Sequence, residues 1–398
     1  MKVLFVSAVM PYPLYSGGQI RIYHLLKEMS KYHEVSLFAF IRTPEEEKYI
    51  RELGFCKKVT TVVRGRAWQP RYVIRSVLGI YPFVFATYDS SQMRHLIRQE
   101  LARTRYDLVH IEPGYVLPSV PAVDVPMVVG EHNIEHVVYE GYSRRFPVAV
   151  IRPLLYVDVL KLRFWERRVW KRADGVVAVS REDAREISRI TGTDRVSMVP
   201  NAVAVSSFPF LPQKTCSVQA PVFLFVGNFS WVQNRDAVEF LGNRVWPVIR
   251  KRYPDGTLHI VGKHMPGRLK RRLAGNGIDV KEDVADIRTE LTKADIFIAP
   301  IHIGGGTKFK ILEAMAAGIP VVTTTKGVEG LEIVPGKELI VVTNWDTIGQ
   351  TVERLLTDNA YRLGLVRAAR ARIERDYSWE NVARRLDAAW HAAYERRH

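Results

Sequence analysis

Cysteine is almost absent: Cys56 and Cys216 are the only two in 398 residues. Two thiols cannot staple a disulfide-framed secreted domain or supply a zinc site at the usual ligand spacing. Long apolar runs are missing as well. Nothing approaches the roughly 18 to 20 consecutive apolar residues that cross a bilayer, so any membrane contact is expected to be peripheral. No secretory leader is evident, because Met1 runs directly into the apolar stretch Lys2 to Ser7. A reducing, cytoplasmic compartment is expected, with the inner face of the membrane as the place of any lipid contact. Acid is in short supply too: 42 Asp plus Glu stand against 58 Lys plus Arg, a formal +16. Such a surplus favours anionic partners without choosing among nucleic acid, acidic lipid and phosphorylated small molecules.

The remaining composition, 47% hydrophobic and 25% charged, is that of an ordinary globular chain with room for about two to three domains. Lys2 to Ser7 reads as a buried strand. It is followed by the loop glycines Gly17 and Gly18, a helical spacing over Gln19 to Tyr32, and a second strand around Leu37. Apolar strands recur at Val59 to Val63, Leu108 to Ile111, Pro126 to Gly130 and Gly175 to Val179. The Pro- and Ser-rich stretch Val199 to Gln213 breaks the rhythm. Alternation then restarts with strands at Pro221 to Gly227, Leu258 to Val261, Val280 to Lys281, Ile296 to Ala299, Val321 to Thr324 and Leu339 to Val342. This order predicts two doubly wound α/β halves with parallel sheets. The expected division is 1–200, a linker at 201–220, a second domain at 221–375 and a terminal helical segment at 376–398.

The most informative segment runs from Gly304 to Val322: Gly-Gly-Gly-Thr-Lys-Phe-Lys-Ile-Leu-Glu-Ala-Met-Ala-Ala-Gly-Ile-Pro-Val-Val. A glycine run opening a helix gathers backbone N–H groups and the positive end of a helix dipole, and Lys308 and Lys310 add charge beside it. That combination seats a phosphate or diphosphate at Gly305, Gly306 and Thr307. Glu313, further along the helix, is placed to accept from hydroxyls of the same ligand, such as a ribose. As a generic pattern it is equally a glycine turn before an ordinary helix with solvated lysines.

The block resembles the second-domain signature of family 4 glycosyltransferases, in which Glu-x7-Glu runs into Ala-Met-Ala-x-Gly-x-Pro-Val. The resemblance implies a GT-B fold: two facing Rossmann-like, doubly wound domains with an inter-domain cleft. It implies a nucleotide-sugar donor, a glycan or lipid-linked acceptor, retention of anomeric configuration and no cofactor beyond the donor itself. The reaction is expected to serve cell-surface polysaccharide or glycolipid synthesis. Counting back from Glu313, the family's first glutamate falls on Gly305, so ribose binding by Glu313 carries over while the role of the first glutamate does not. With no enzymic nucleophile in view, front-face departure and attack assisted by the diphosphate is implied. No Asp-x-Asp triplet of the kind used by metal-dependent glycosyltransferases stands out, and a metal-independent reaction is expected.

Other positions follow from the same resemblance. The Gly17-Gly18 pair matches one that lets the backbone approach the donor diphosphate. His132, after the strand Met127 to Gly130, matches the family's active-site histidine against the donor sugar. His110 and Glu112 resemble nothing as specific and are taken as acceptor-side at best. Where relatives carry Gly-Arg-Leu and then a lysine, this chain has Gly227-Asn228-Phe229 and Gln233-Asn234-Arg235. Asn228 and Asn234 bond but carry no charge, and Asn234 reads as the N-cap of the next helix. Charge for the leaving diphosphate then falls to Lys308 and Lys310, with Arg235 and Lys263 behind them.

The basic and aromatic stretch Ile151 to Arg172 is expected to be a helix with its apolar side in the core and its arginines in water; lying on an anionic membrane is its alternative. Arg64 through Arg75 is weighed in the same way. Competing functions are a nucleotide-sugar epimerase or hydrolase on the same fold, a non-catalytic sugar-binding relative, and a nucleic-acid-binding protein that uses the +16 charge. Against the last, no helix-turn-helix, zinc-finger or RNA-recognition signature is present, and no nucleic acid partner is expected.

Overall fold

The structure, a computed structural model, describes all residues except 211–215, 283, 285 and 305, together with the side chain of residue 145. It divides into two compact units, Met1–Pro200 with Val382–His398, and Asn201–Asn381. The stretch expected as a linker therefore belongs, where described, to the second unit; residues 211–215 lie outside the described residues. Val203 and Phe208 are buried in the second unit's core.

The first unit holds seven strands: β1 Lys2–Ser7, β2 Glu34–Ile41, β3 Lys58–Val63, β4 Leu108–Glu112, β5 Met127–Glu131, β6 Gly175–Ala178 and β7 Val196–Met198. All pair in parallel in the order β3-β2-β1-β4-β5-β6-β7. Strands buried on both faces read as continuous apolar runs, as Val3 to Val6 do. The helices are α1 Gly17–Met29, α2 Pro70–Leu78, α3 Phe83–Thr87, α4 Ser91–Arg103, α5 Glu135–Arg145, α6 Arg152–Arg172 and α7 Arg181–Thr191. Ser16, Ser90 and Ser180 cap α1, α4 and α7 by accepting from the backbone N–H three residues on. Gly192, at φ 69°, closes α7 in the left-handed conformation that glycine adopts without a Cβ clash.

The second unit holds β8 Val222–Asn228, β9 Thr257–Lys263, β10 Ile278–Glu282, β11 Ile296–Ala299, β12 Val321–Thr323 and β13 Ile340–Val341. They form a parallel sheet in the order β10-β9-β8-β11-β12-β13. Its helices are α8 Val232–Phe240, α9 Trp246–Arg252, α10 Gly267–Leu273, α11 Ile287–Lys293, α12 Phe309–Ala316, α13 Ile348–Thr357 and α14 Asn359–Asp376. The last helix, α15 Trp379–Glu395, carries the buried Val382, Leu386, Ala389, Trp390 and Ala393. From Val382 onward it belongs to the first unit, where Asp387 bonds His33 Nε2 at 2.8 Å.

Two Rossmann-like parallel-sheet domains are thus present. Helix α6 departs from its expected packing. Val159, Leu162, Val169 and Trp170 are buried, yet Leu154, Tyr156, Val157, Leu160 and Phe164 are exposed. Among the described residues no helix is long and apolar enough to cross a membrane.

Candidate functional site

In the second sheet, chain order runs outward from β8 through β9 to β10 and then returns to β11 on the other side of β8. That reversal is a topological switch point, and the loops leaving β8 and β11 diverge there at the carboxyl ends of the strands. The Gly304 to Lys308 loop follows β11; the Asn228 to Trp231 loop follows β8. The first packs against the start of α8, into which the second leads: a Cβ on Gly304, which sits at φ +102°, would lie 3.3 Å from Gln233 Cβ. Gly306 is also left-handed, at φ 68°. Gly305 lies outside the described residues.

Lys308 is the N-cap position of α12, and no side chain caps the helix. Its ammonium is buried and turned onto the Gly306 carbonyl. Burial pushes Lys308 down to about 8, opposed by Glu329 and reinforced by Lys326. Lys310 donates to Asn234 Oδ1 at 2.6 Å and lies 4.4 Å above the centre of the Phe225 ring. Burial holds it at about 7, with the Glu313 carboxylate raising and Lys308 lowering its value. Burial likewise raises Glu313 to about 7, opposed by Lys310. Neither lysine is the solvated surface group of the generic reading. Thr307 Oγ1 is buried and has no hydrogen-bond partner among the described residues. A buried hydroxyl in that state awaits a partner. Two ammonium groups, an orphaned hydroxyl and an uncapped helix start suit a ligand with several anionic oxygens.

Asn234 is not an N-cap. Helix α8 starts at Val232 with Trp231 as its cap residue. Asn234 instead bridges, donating Nδ2 to the Asn228 carbonyl at 2.7 Å while accepting from Lys310. Its amide packs over Gly227, where a Cβ would meet Asn234 Cγ at 3.0 Å. Asn228 Oδ1 accepts from Ser230 N at 3.0 Å. Arg235 is spent on the same loop, with Nη1 on the carbonyls of Phe229 at 2.7 Å and Ser230 at 2.9 Å. Through Nη1 it holds the loop in place.

In the first unit the reversal falls between β1 and β4. His132, just past β5, sends Nε2 to Glu112 Oε1 at 2.8 Å. Arg21 of α1 reaches the same oxygen through Nε at 2.7 Å, and its Nη1 donates to the carbonyls of Val199 and Pro200 at 2.9 and 3.0 Å. His110 Nε2 takes Glu112 Oε2 at 2.9 Å. Burial raises Glu112, but Arg21 and the two histidines overcome it and hold the carboxyl well below its ordinary range. An ionised carboxylate only accepts, so His132 Nε2 carries its hydrogen, and in the neutral ring Nδ1 holds the lone pair. A Cβ on Gly18 would lie 3.2 and 3.3 Å from His132 Cε1 and Nδ1. Gly18 and His132 are therefore neighbours, and Gly17 opens α1. The acceptor-side reading of His110 and Glu112 is corrected: both are fully buried, behind His132.

The first half of the chain matches the Glycosyltransferase Family 4 model over residues 15–207, and the second matches the Glycosyl transferases group 1 model over residues 220–358. The chain belongs to the family 4 glycosyltransferases. It is an enzyme of that class. This glycosyltransferase is 24% identical over 359 residues to an uncharacterised 44.6 kDa protein in the cps region of Klebsiella pneumoniae, covering 85% of this chain and 87% of that one. It is 26% identical over 297 residues to a glycogen synthase of Mycobacterium tuberculosis, covering 70% and 67%. Its fold resembles that of sucrose-phosphate synthase from Thermosynechococcus elongatus, with a TM-score of 0.73 at 17% identity and 98% of each chain covered. Anabaena HepE, solved in complex with UDP-glucose, is similar with a TM-score of 0.63 at 14% identity, again over 98% of each chain.

Sequence reasoning on the glycosyltransferase missed Arg21 and the role of Glu112. Arginine between Ile20 and Ile22, in a helix that starts against the sheet, was the available signal, since a buried cation requires a buried anion. Nothing in the sequence said which anion.

Proposed function

We propose that this glycosyltransferase moves a sugar from a nucleotide-sugar donor to a hydroxyl of a glycan or lipid-linked acceptor, retaining anomeric configuration and needing neither metal nor cofactor. The observation that carries the reading is the convergence of Lys308, Lys310 and the orphaned Thr307 hydroxyl at the start of α12, with Glu313 one turn on. In this reading the diphosphate lies at Thr307 and the lysines, and Glu313 accepts from the ribose. HepE in complex with UDP-glucose and a GDP-mannose-dependent mannosyltransferase of Corynebacterium glutamicum, 31% identical over 158 residues, support a nucleotide-sugar donor as a class. They do not choose the base.

Departure of the nucleoside diphosphate builds negative charge on its terminal oxygens. The two lysines, held in a partly dry site, stabilise that charge in place of a divalent cation. With glycine at position 305 the first carboxylate of the Glu-x7-Glu motif is missing and cannot serve as nucleophile. The acceptor hydroxyl attacks from the side the leaving group vacates, and its proton passes to a diphosphate oxygen. In the first unit His132, held by Glu112 through Nε2, offers Nδ1 to a sugar hydroxyl.

The test is a thermal-stabilisation screen of nucleotide sugars and free nucleoside diphosphates on wild type and Glu313→Ala. Loss of charge-assisted bonds to ribose should weaken binding about 10- to 100-fold. Equal stabilisation of both proteins would sink the ribose assignment. Turnover of the best donor that persists undiminished in EDTA supports the metal-independent course; its abolition would reject that course.

A further inference from the structure

One face of α6 changes character along its length. Leu154, Val157, Lys161, Trp165, Arg168 and Arg172 recur at three- and four-residue spacing and so share that face, apolar at the start and cationic at the end. Two cavities open along it. The first, about 480 Å³, lies among α2, α5 and the first half of α6, lined by Trp68, Val73, Val77, Val138, Leu154 and Val157 with few polar groups. Its lining stays open to solvent, with Trp68 77%, Val77 52% and Leu154 55% exposed. Its two charged side chains are committed: Asp158 accepts from Ser76 Oγ at 2.9 Å and Phe83 N at 2.8 Å, and Lys161 donates to the carbonyls of Ser76 and Gly79 at 2.7 and 2.8 Å.

The second cavity, about 390 Å³, lies one turn further along α6, across the short helix α3. Four arginines line it: Arg94, Arg98, Arg168 and Arg172. Arg94 is paired with Asp89 at 2.6 Å. Arg98, Arg168 and Arg172 have no carboxylate partner among the described residues. Arg172 also complements the carboxyl end of the α6 dipole, but Arg98 and Arg168 have no such reason to be there. Arg168 lies 5.7 Å from the centre of the Trp165 ring, and Tyr81 packs on the same ring at 4.7 Å. Three unpaired guanidinium groups around one cavity repel each other unless an anion joins them.

An apolar cavity and an arginine-lined cavity along one face of α6 are together complementary to an amphiphile with an anionic head, and phosphate matches several guanidinium groups best. We infer that α2, α3 and α6 form a binding site for a lipid phosphate, its hydrocarbon chain in the apolar cavity and its phosphate against Arg98 and Arg168. It deepens the proposed function, and rests on that reading, in making the lipid phosphate the acceptor's anchor.

Dodecyl phosphate below its micellar concentration serves as the probe, by titration calorimetry, beside dodecyl maltoside and inorganic phosphate. Binding of dodecyl phosphate should weaken at least about tenfold in the double variant Arg98→Gln/Arg168→Gln and in Val77→Glu. Both changes are on the surface and spare the fold. Inorganic phosphate and dodecyl maltoside should each bind at least about tenfold more weakly than dodecyl phosphate. Unchanged binding in the arginine variant overturns the proposal. So does equal affinity for inorganic phosphate, which would make this an anion site alone, or for dodecyl maltoside, which would make it a greasy surface alone. Self-association of the wild type that Val77→Glu abolishes would assign the apolar cavity to a second copy of the chain and also overturn it. Glu313→Ala separates the two readings: it should weaken nucleotide binding and leave dodecyl phosphate binding untouched, so either can fail alone.

Discussion

The indole N–H of Trp390 donates to Nδ1 of His110 at 2.9 Å, inside the first unit and with both rings fully buried. Tryptophan only donates, so His110 Nδ1 is the acceptor and its Nε2 carries the hydrogen that meets Glu112. Burial lowers His110 further and keeps it neutral. A residue near the chain's end thereby fixes the tautomer behind His132, through His110 and then Glu112. The buried charge balance closes locally: Arg21 positive, Glu112 negative, His110 neutral.

Trp390→Phe should remove that donor and leave Nδ1 of His110 buried without a partner, at a cost of about 1–3 kcal/mol. The first unit's thermal midpoint should fall by about 2–10 °C. Affinity for nucleotide, which the proposed function puts in the second unit, should not move. Differential scanning calorimetry checks the first expectation and nucleotide titration the second. A midpoint within about 1 °C of wild type would show that the hydrogen bond contributes nothing.

Gly18→Ala tests whether the His132 ring must sit where it does. The added methyl would stand 3.2 Å from Cε1, closer than comfortable contact, and the flexible partner is the imidazole. The ring should shift by a few tenths of an ångström against its Glu112 bond while the backbone, at an ordinary negative φ, accepts alanine. Turnover should drop by about tenfold or more with stability nearly unchanged. Wild-type turnover would remove His132's placement from the mechanism.

Much of this was legible because of how parallel sheets are covered. Strands buried on both faces announce themselves as apolar runs, so β1, β4 and β11 lie where such runs predict them. Edge strand β7 is only half-buried and carries Val196-Ser197-Met198, too short and mixed to stand out beside the Pro-rich stretch. Asn234 misleads because its propensity suits a helix cap, while tertiary contacts with Lys310 and the Asn228 carbonyl use it otherwise. The Arg21–Glu112 pair joins residues 91 apart, a pairing that spacing cannot reveal. Helix α6 misleads for a related reason: periodicity shows that a face is apolar but not whether anything covers it.

The lysines of the second unit make a sharper test, because their depressed values set a proton count. With Lys310 at about 7 and Lys308 at about 8, the first is largely unprotonated and the second about half so at pH 8 in the free protein. A diphosphate favours the charged ammonium, so binding raises both values and takes up protons from solvent. The sign follows: affinity should hold below about pH 7 as far as these groups are concerned and fall as pH rises through about 7 and then about 8. At pH 8 calorimetric titration of a nucleoside diphosphate, repeated in buffers of different ionisation enthalpy, should report uptake of roughly one to one and a half protons. Lys310→Met should cut that uptake by more than half, since Lys310 is the more deprotonated of the two. Binding with no proton uptake at pH 8 would mean that the diphosphate does not rest on these lysines, and the second unit's anion seat would have to be sought elsewhere.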